Sequence, residues 1–500
     1  MSLATTTRRL ALLAPSDRIN LGLAALLWSY SIARAARLSF THDESVTFQV
    51  ALRAQYLDIA RYDVRIPSNN HMLNSLLAKL CSLIASVPFA LRLPNVIAHG
   101  GYLGAALLLA RRADPGPPRV LAFVVLTLHP FLLDFFSLCR GYGLASGFEL
   151  LALWLLVRDS EDARIRPVRV AIACLVAALC PLSNLSFLVF FLAFLGILLL
   201  IQISKARASE AAVGANPWSL RRALLASLGV PLAIAALLCA WLVPVGLKLR
   251  EMGELYYGGE QGFLQDTLGS LLEASTYYKP PAASLRLGLQ ALGVALLGVA
   301  LALALRLALR RRYTAAWLCA LPLLTALTCV VQHQAMDTRF PIDRTALFFI
   351  PMFALALLMS SASAARRGVG TALLGAAALL LLLNAGRSLN LRYFAQWQYD
   401  ANTARMLRDL SKARGAQSEL QLGANWLFEP TINYYRKQRK LKWLNPVSRS
   451  SLHEDADYYY YLPEDEPLLA PHRLQVIRHY ETSGATLARV LRTTGSQASR

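Results

Sequence analysis

Charged residues are few in this chain. They make up 16% of its 500 residues, where a soluble protein of this size carries nearer a quarter. That shortage, with 56% hydrophobic residues, excludes an ordinary soluble globule. Acids are the scarcer sign, 30 Asp and Glu against 51 Lys and Arg. The seven cysteines are Cys81, Cys139, Cys174, Cys180, Cys239, Cys319 and Cys329, all in or beside apolar segments. None forms a CxxC pair or a Cys/His metal cluster, and none follows Cys329, so no disulfide framework is implied in the C-terminal part. They read as small buried hydrophobes.

What is abundant is apolar runs of about 17 to 22 residues, long enough to cross a hydrocarbon core of about 30 Å. Ala223–Val243, Leu287–Leu305, and Ala346–Met359 and Thr371–Leu383 with their flanks are examples. The chain therefore reads as a polytopic membrane protein. Its net charge of +21 does not point to nucleic acid. The basic residues sit in short clusters between apolar runs, at Arg111-Arg112, Arg158 to Arg169, Lys205 to Arg222, Arg306 to Arg312 and Arg366-Arg367. This is the pattern of cytoplasmic loops. Arg8, Arg9 and Arg18 precede the first run, and Ala33-Arg34-Ala35 is a weak cleavage-like site. An uncleaved first span is preferred to a signal peptide, because the residues just beyond it need anchoring.

Taking the Arg clusters as inside fixes the parity. The first span, Leu21 to Leu38, runs outward and Pro94–Ala110 runs inward. Between them Met72–Phe89, with Lys79 in mid-segment, is expected to lie along the membrane without crossing. The remaining expected spans are Arg119–Asp134, Leu144–Val157, Val168–Leu182, Phe187–Ile203, Leu224–Val245, Leu287–Leu305, Thr314–Val331, Thr345–Ser361 and Val369–Leu389. That makes about eleven, with the N-terminus inside and the C-terminal segment outside.

Sorting polar residues by side gives a lopsided result. The inner loops hold Arg and Lys. The outer ones hold His42, Asp43, Glu44, Asn69, Asn70, His71, Arg92, Asp134, Arg140, Tyr142, His333, Asp337, Arg339, Asp343 and Arg344. A long outer loop, 248–286, adds Tyr256, Tyr257, Glu260, Glu273, Tyr277, Tyr278 and Lys279. Glu44–Tyr62 has the spacing of an amphipathic interfacial helix, broken at Pro67-Ser68-Asn69-Asn70. Ionisable groups where a span meets water are costly to hold near lipid and point to function. A carboxylate there can take a proton from a hydroxyl or amine. Arg side chains beside it can neutralise a phosphate. Together they suggest transfer of a group from a lipid-linked phosphate. A transporter or flippase of lipid-linked saccharides is the alternative, but its ionisable residues would gather near mid-bilayer on broken helices. A non-catalytic membrane scaffold is the third reading.

The ordered motifs resemble those of the GT-C glycosyltransferases, and within them the dolichyl-phosphate-mannose protein mannosyltransferase and aminoarabinose transferase group. Thr41-His42-Asp43-Glu44 is similar to the Asp-Glu motif of the first outer loop. Asn69-Asn70-His71-Met72-Leu73 resembles a polar-Pro-Pro-Leu segment, with Met72 where Pro is common. Arg92-Leu93-Pro94-Asn95 resembles an Arg-Leu-Pro-Ser element. His129 to Asp134, Ser137 and Arg140-Gly141-Tyr142-Gly143-Leu144 resemble the second outer loop. Asp343-Arg344-Thr345, ahead of Pro351, resembles a late Arg-Tyr boundary. The resemblance covers about residues 20–390.

It implies a GT-C-like transmembrane catalytic domain over 1–389, with a first outer loop at about 39–93. The implied reaction is inverting transfer of a sugar from a polyprenyl-phosphate donor to a protein, lipid or glycan acceptor. The implied place is a bacterial inner membrane, with the site facing the periplasm. Asp43 would match the catalytic base, with Glu44 beside it. Arg344, Arg140 and Arg92, in that order, with His71 and Tyr142, would hold the donor phosphate. No cofactor is required. A divalent metal occurs in some members of the superfamily, and His42, His71, Asp43 and Asp134 are the residues that can ligate one. No nucleic-acid partner is expected.

Residues 390–500 change character and imply a small α/β domain on the outer face. Helices are expected over Asn402–Lys412 and Glu429–Gln438. Strands are expected at Leu420–Leu422, Leu441–Leu444, Tyr458–Leu462 and Leu474–Tyr480, with a disordered tail after Arg492. The basic run Arg436 to Lys440 and the run Tyr458 to Tyr461 read as a solvated helix end and a strand, with acceptor recognition as the sharper alternative.

Overall fold

The computed structural model describes residues 13–213, 217–278, 283–310, 312–363 and 367–491. Arg8, Arg9, Lys279, Arg366 and the tail after Arg492 lie outside them. Among the described residues, six helices are long and apolar enough to cross a membrane: Pro88–Ala110, Leu185–Ser209, Arg221–Glu251, Tyr313–Met336, Asp343–Ser361 and Gly370–Ser388. Six of the expected spans fall on these. Pro167–Ser183 and Leu297–Leu309 are apolar but shorter.

Local chemistry sets the helix ends. Pro15–Arg37 begins with Pro at its start and Asp17 in its first turn, and ends with Arg34 and Arg37 in its last. Asp17 pairs with Arg119 (3.2 Å) and Arg111 (3.5 Å), and Arg112 with Glu161 (2.7 Å). The Arg clusters at this end of the bundle thus draw in acids. The run expected to span from Arg119 to Asp134 is instead two helices, Pro117–Thr127 and Pro130–Phe135. Pro130 holds the preceding His129 in an extended conformation, which stops the first helix. Met72–Ser82 has 11 residues, about 16 Å of helix, roughly half of a hydrocarbon core. The expected interfacial helix over Glu44–Tyr62 is three pieces: His42–Gln49, a 3₁₀ turn at Ala51–Arg53, and Tyr56–Arg61.

Two glycines allow a close approach beside Arg140 and Tyr142. A Cβ on Gly141 would meet the Ser183 carbonyl oxygen at 1.8 Å, and one on Gly143 the Phe135 carbonyl oxygen at 2.3 Å. Helix Gly141–Ser160 therefore starts hard against two backbones, which fixes where Arg140 enters.

Beyond residue 400 a four-stranded sheet forms in the order β1-β2-β4-β3, from Leu422–Ala424, Tyr458–Tyr461, Leu474–His479 and Thr486–Val490. β1 is parallel to β2, and the other pairings are antiparallel. β4 was not expected, while Leu441–Leu444 makes only an isolated bridge, Leu420 to Leu444. Helices Thr403–Ala413 and Glu429–Gln438 accompany the sheet. Tyr458 and Tyr460 pack with Met406, Leu410 and Ile432, whereas Tyr459 and Tyr461 pack with Leu452 and Leu469 on the other face. The first of these cores also contains Phe40, Ala51, Leu52, Ala78, Leu91 and Cys139. The C-terminal segment thus shares one hydrophobic core with residues of the 39–93 stretch and with Cys139.

Candidate active site

The site begins with a helix cap. Thr41 precedes helix His42–Gln49, its hydroxyl accepting from the Glu44 amide (3.4 Å) while the Glu44 carboxylate accepts from the Thr41 amide (2.9 Å). This reciprocal pair is a capping box. Glu44 also accepts from the Cys139 amide (2.6 Å) and from Nε and Nη2 of Arg92 (2.8 and 2.6 Å). Both side chains are fully buried. The remaining N–H groups of Arg92 go to the carbonyls of Ala35, Leu38 and Ser39. As arranged, Arg92 has no donor left for a phosphate, and Glu44 serves to seat the helix.

Asp43, one residue earlier, points elsewhere, as neighbours on a helix must. Its carboxylate lies 3.2 Å from the Arg140 guanidinium and 3.6 Å from that of Arg344. Burial pushes the carboxyl up, but Arg140 and Arg344, with His42 and the Trp397 indole, hold it below the ordinary value. Arg140 also donates to the Asn69 side chain, and Asn69 in turn donates to the Asp43 carbonyl (3.1 Å). Arg344 lies over the rings of Tyr257 (4.5 Å) and Trp397 (5.3 Å) and donates to Gln396 (3.3 Å).

His71 completes this shell. Its ring meets Tyr142 edge-on at 5.2 Å. Burial and the nearby Arg140 and Arg344 charges hold its pKa well below the ordinary value, so the imidazole is neutral. Three buried atoms of the shell, Arg140 Nε, Arg344 Nε and His71 Nε2, have no hydrogen-bond partner among the described residues. Each buried orphan of this kind calls for a partner or a role, and here three of them surround one carboxylate.

Asp343 lies beside Arg344 in left-handed backbone, with φ of 44°. The Tyr257 hydroxyl donates to its carboxylate (3.3 Å), and its amide donates to Ser270 (2.9 Å). Tyr277 and Tyr278 are also left-handed, with φ of 64° and 53°. Strain of this kind clusters at functional sites.

The other candidates sit apart. His42 donates its amide to Asp400 (2.6 Å), and its ring meets the Leu427 carbonyl (2.8 Å) and the Trp426 face. Asp134 is held by Arg34 (2.8 Å), the Tyr277 hydroxyl (2.8 Å) and the Ala395 amide (2.9 Å). No group of three His, Cys, Asp and Glu side chains that could hold a metal occurs among the described residues. Asp43 itself faces two cations. The four residues considered as ligands therefore do not assemble a metal site, and no step below is routed through one. Arg339, among the residues expected on the outer side, pairs with Glu260 at 2.8 Å.

Sequence reasoning missed the contribution of segment 394–402. Trp397, Gln396 and Asp400 from it reach Asp43, Arg344 and His42 respectively. The available signal was the aromatic and amide-rich run Tyr393 to Asp400, directly after the last apolar segment.

No protein-family model matches the sequence, and no curated protein matches it. Among solved structures, the chain is similar to ArnT from Cupriavidus metallidurans in the apo state, with 12% identity, a TM-score of 0.45, and 94% of this chain and 97% of that one covered. It is also similar to that protein bound to undecaprenyl phosphate, with 11% identity, a TM-score of 0.41 and the same coverage of 94% and 97%. A third is the archaeal oligosaccharyltransferase AglB from Archaeoglobus fulgidus, in complex with an inhibitory peptide and a dolichol-phosphate. Its identity is 14% and its TM-score 0.39, over 94% of this chain and 74% of that one.

Proposed function

We propose that this chain is an integral-membrane glycosyltransferase of the GT-C type. In this reading it moves a sugar, with inversion, from a polyprenyl-phosphate donor to an acceptor on the extracytoplasmic face. About eleven segments cross the membrane, and residues 390–500 lie on the same outer side as Asp43. The observation that carries the reading is the set of orphaned donors, Arg140 Nε, Arg344 Nε and His71 Nε2, around the Asp43 carboxylate. A phosphate suits orphaned guanidinium N–H groups, and a carboxylate suits an acceptor proton.

The chemistry follows from those atoms. An acceptor hydroxyl or amine gives its proton to Asp43 as its heteroatom bonds to the sugar's anomeric carbon. The bond from that carbon to the phosphate oxygen breaks, and its electron pair leaves with the phosphate. Arg140 and Arg344 neutralise the departing charge, and neutral His71 and Tyr142 are placed to hydrogen-bond it. In the unliganded arrangement the same two Arg side chains hold down the basicity of Asp43. A donor phosphate that draws them off raises it, so donor binding arms the base.

The test is mass spectrometry of lipid co-purified with the full chain, paired with comparison of cell-surface glycans before and after deletion of the gene. The expected result is a polyprenyl-phosphate species retained by the wild type and one class of glycan lost on deletion. Retention of a diphosphate-linked oligosaccharide, with transport across vesicles, would favour the flippase reading.

A further inference from the structure

A second site lies between the first outer loop and the C-terminal segment. It is an open cleft of about 380 Å³ lined by Phe48, Arg53, Ser86, Val87, Lys437 and Gln438. Side-chain hydrogen bonds hold its scaffold. Lys79 donates to the Leu52 and Ala54 carbonyls (2.9 and 2.6 Å) and so fixes the turn that carries Arg53. The Tyr434 hydroxyl donates to the Ser86 carbonyl (3.0 Å), and the Tyr434 ring meets Phe48 edge-on at 5.0 Å. Helix Glu429–Gln438 is thereby pinned to the loop with Lys437 at the cleft.

The cleft is cationic, and its charge is not answered from within. Neither Arg53 nor Lys437 has a carboxylate within ion-pair distance among the described residues. Glu429, the acid whose field reaches Lys437, is taken by Arg449 (3.8 Å) and Asn433 (2.8 Å). The neighbouring basic residues have partners. Arg439 donates to the Ala404 carbonyl (3.0 Å) and lies over Tyr435. Arg436 reaches the Leu444 carbonyl (3.5 Å). Partial burial and the Arg53 and Arg436 charges hold the Lys437 ammonium below its ordinary value, which an anion between them would reverse.

Beside this cationic cleft runs an apolar ledge. Leu80, Leu83, Ile84, Val87 and Phe89 are all exposed, Ile84 at 91%. They occupy the end of helix Met72–Ser82, the connection after it and the entry to helix Pro88–Ala110, one of the helices long and apolar enough to cross a membrane. A cationic cleft at headgroup height with an apolar ledge at acyl height matches one kind of occupant.

We propose that the Arg53–Lys437 cleft binds the phosphate of an anionic phospholipid from the surrounding bilayer, whose chains lie on the Leu83–Phe89 ledge. The bound lipid bridges the first outer loop and helix Glu429–Gln438. The site is distinct from the Asp43 site and does not depend on the reaction proposed there.

Native mass spectrometry of the full-length protein tests it, with phosphatidylglycerol and phosphatidylcholine of the same chain length offered in equal amounts. The wild type is expected to retain phosphatidylglycerol in preference. The double variant Arg53→Gln/Lys437→Gln should lose roughly fivefold of that preference for each basic group removed. The charge-conserving Arg53→Lys/Lys437→Arg variant should keep it. Both substitutions are on the surface, and monodispersity in size-exclusion chromatography controls for folding. Equal retention of the two lipids by the wild type, or an unchanged preference in the Gln variant, overturns the proposal. So does displacement of the lipid by glycerol phosphate at matching concentration, since a headgroup alone would then suffice and the ledge would have no part.

Discussion

Arg140 and Asp43 meet at 3.2 Å, although they stand 97 positions apart in the sequence. Their pairing makes the proposed base and the proposed phosphate ligand compete for each other. Asp43→Asn keeps the shape and loses the proton acceptor. Turnover should fall by about 10² to 10⁴-fold while polyprenyl-phosphate binding persists. Wild-type turnover by the purified variant would remove Asp43 from the chemistry. The depressed carboxyl also contributes stability that is present above its unfolded value and lost as pH falls through the folded one. An acid unfolding titration should lose that component in the variant.

Arg140→Lys and Arg344→Lys should each weaken binding of polyprenyl phosphate by about tenfold or more. An ammonium cannot reproduce the guanidinium fork. The readout is a lipid-binding constant, taken separately from turnover. Unchanged affinity in both variants would show that neither guanidinium reaches the phosphate.

Glu44 and Arg92 separate a structural role from a chemical one. Each leaves the other as an unpaired buried charge when removed, at a cost of about 3 to 5 kcal/mol. Glu44→Gln should therefore lower thermal stability, and Glu44→Gln/Arg92→Met should recover much of the loss. A Glu44→Gln variant with wild-type stability and no turnover would instead place Glu44 in the reaction.

Topology is open to a labelling test. Five of the seven cysteines are buried, so only Cys81 and Cys239 need replacing. Single cysteines at the exposed positions Arg65 and Ser418 should react with an impermeant reagent from outside. A cysteine at Arg164 should react only after permeabilisation. Labelling of position 418 from the inside alone would separate the C-terminal segment from Asp43 and end any role for it in acceptor binding.

The elements legible in the sequence were those whose signal is local. Helix Glu429–Gln438 has Pro430 in its first turn and basic residues in its last, and it was placed at its observed bounds. The break near Pro67 was likewise carried by nearby residues, whereas the segment expected over Met72–Phe89 ends as a helix at Ser82 and the next helix starts at Pro88. What stayed hidden depends on partners far along the chain. β4 is five residues with little alternation, and it exists because Tyr458–Tyr461 and Leu474–His479 flank it. Asp43, Arg140 and Arg344 could be named as chemically apt, but nothing local distinguishes them from Arg92. Only the fold spends every Arg92 N–H on Glu44 and three carbonyls, while Arg140 and Arg344 each keep the Nε–H open.

The core shared by Phe40, Leu52 and Leu91 with Tyr434, Tyr458 and Tyr460 bears on how such a protein can be cut and recombined. Trp397 and Asp400 reach back to Asp43 and His42, so the portion after residue 390 forms a wall of the proposed site as much as a body outside it. A chimera joined at residue 390 would inherit a first loop shaped for another partner's tyrosines. The unit that can be exchanged intact is discontinuous: residues 38–93 together with 394–491, two stretches that have to be carried over as a matched set.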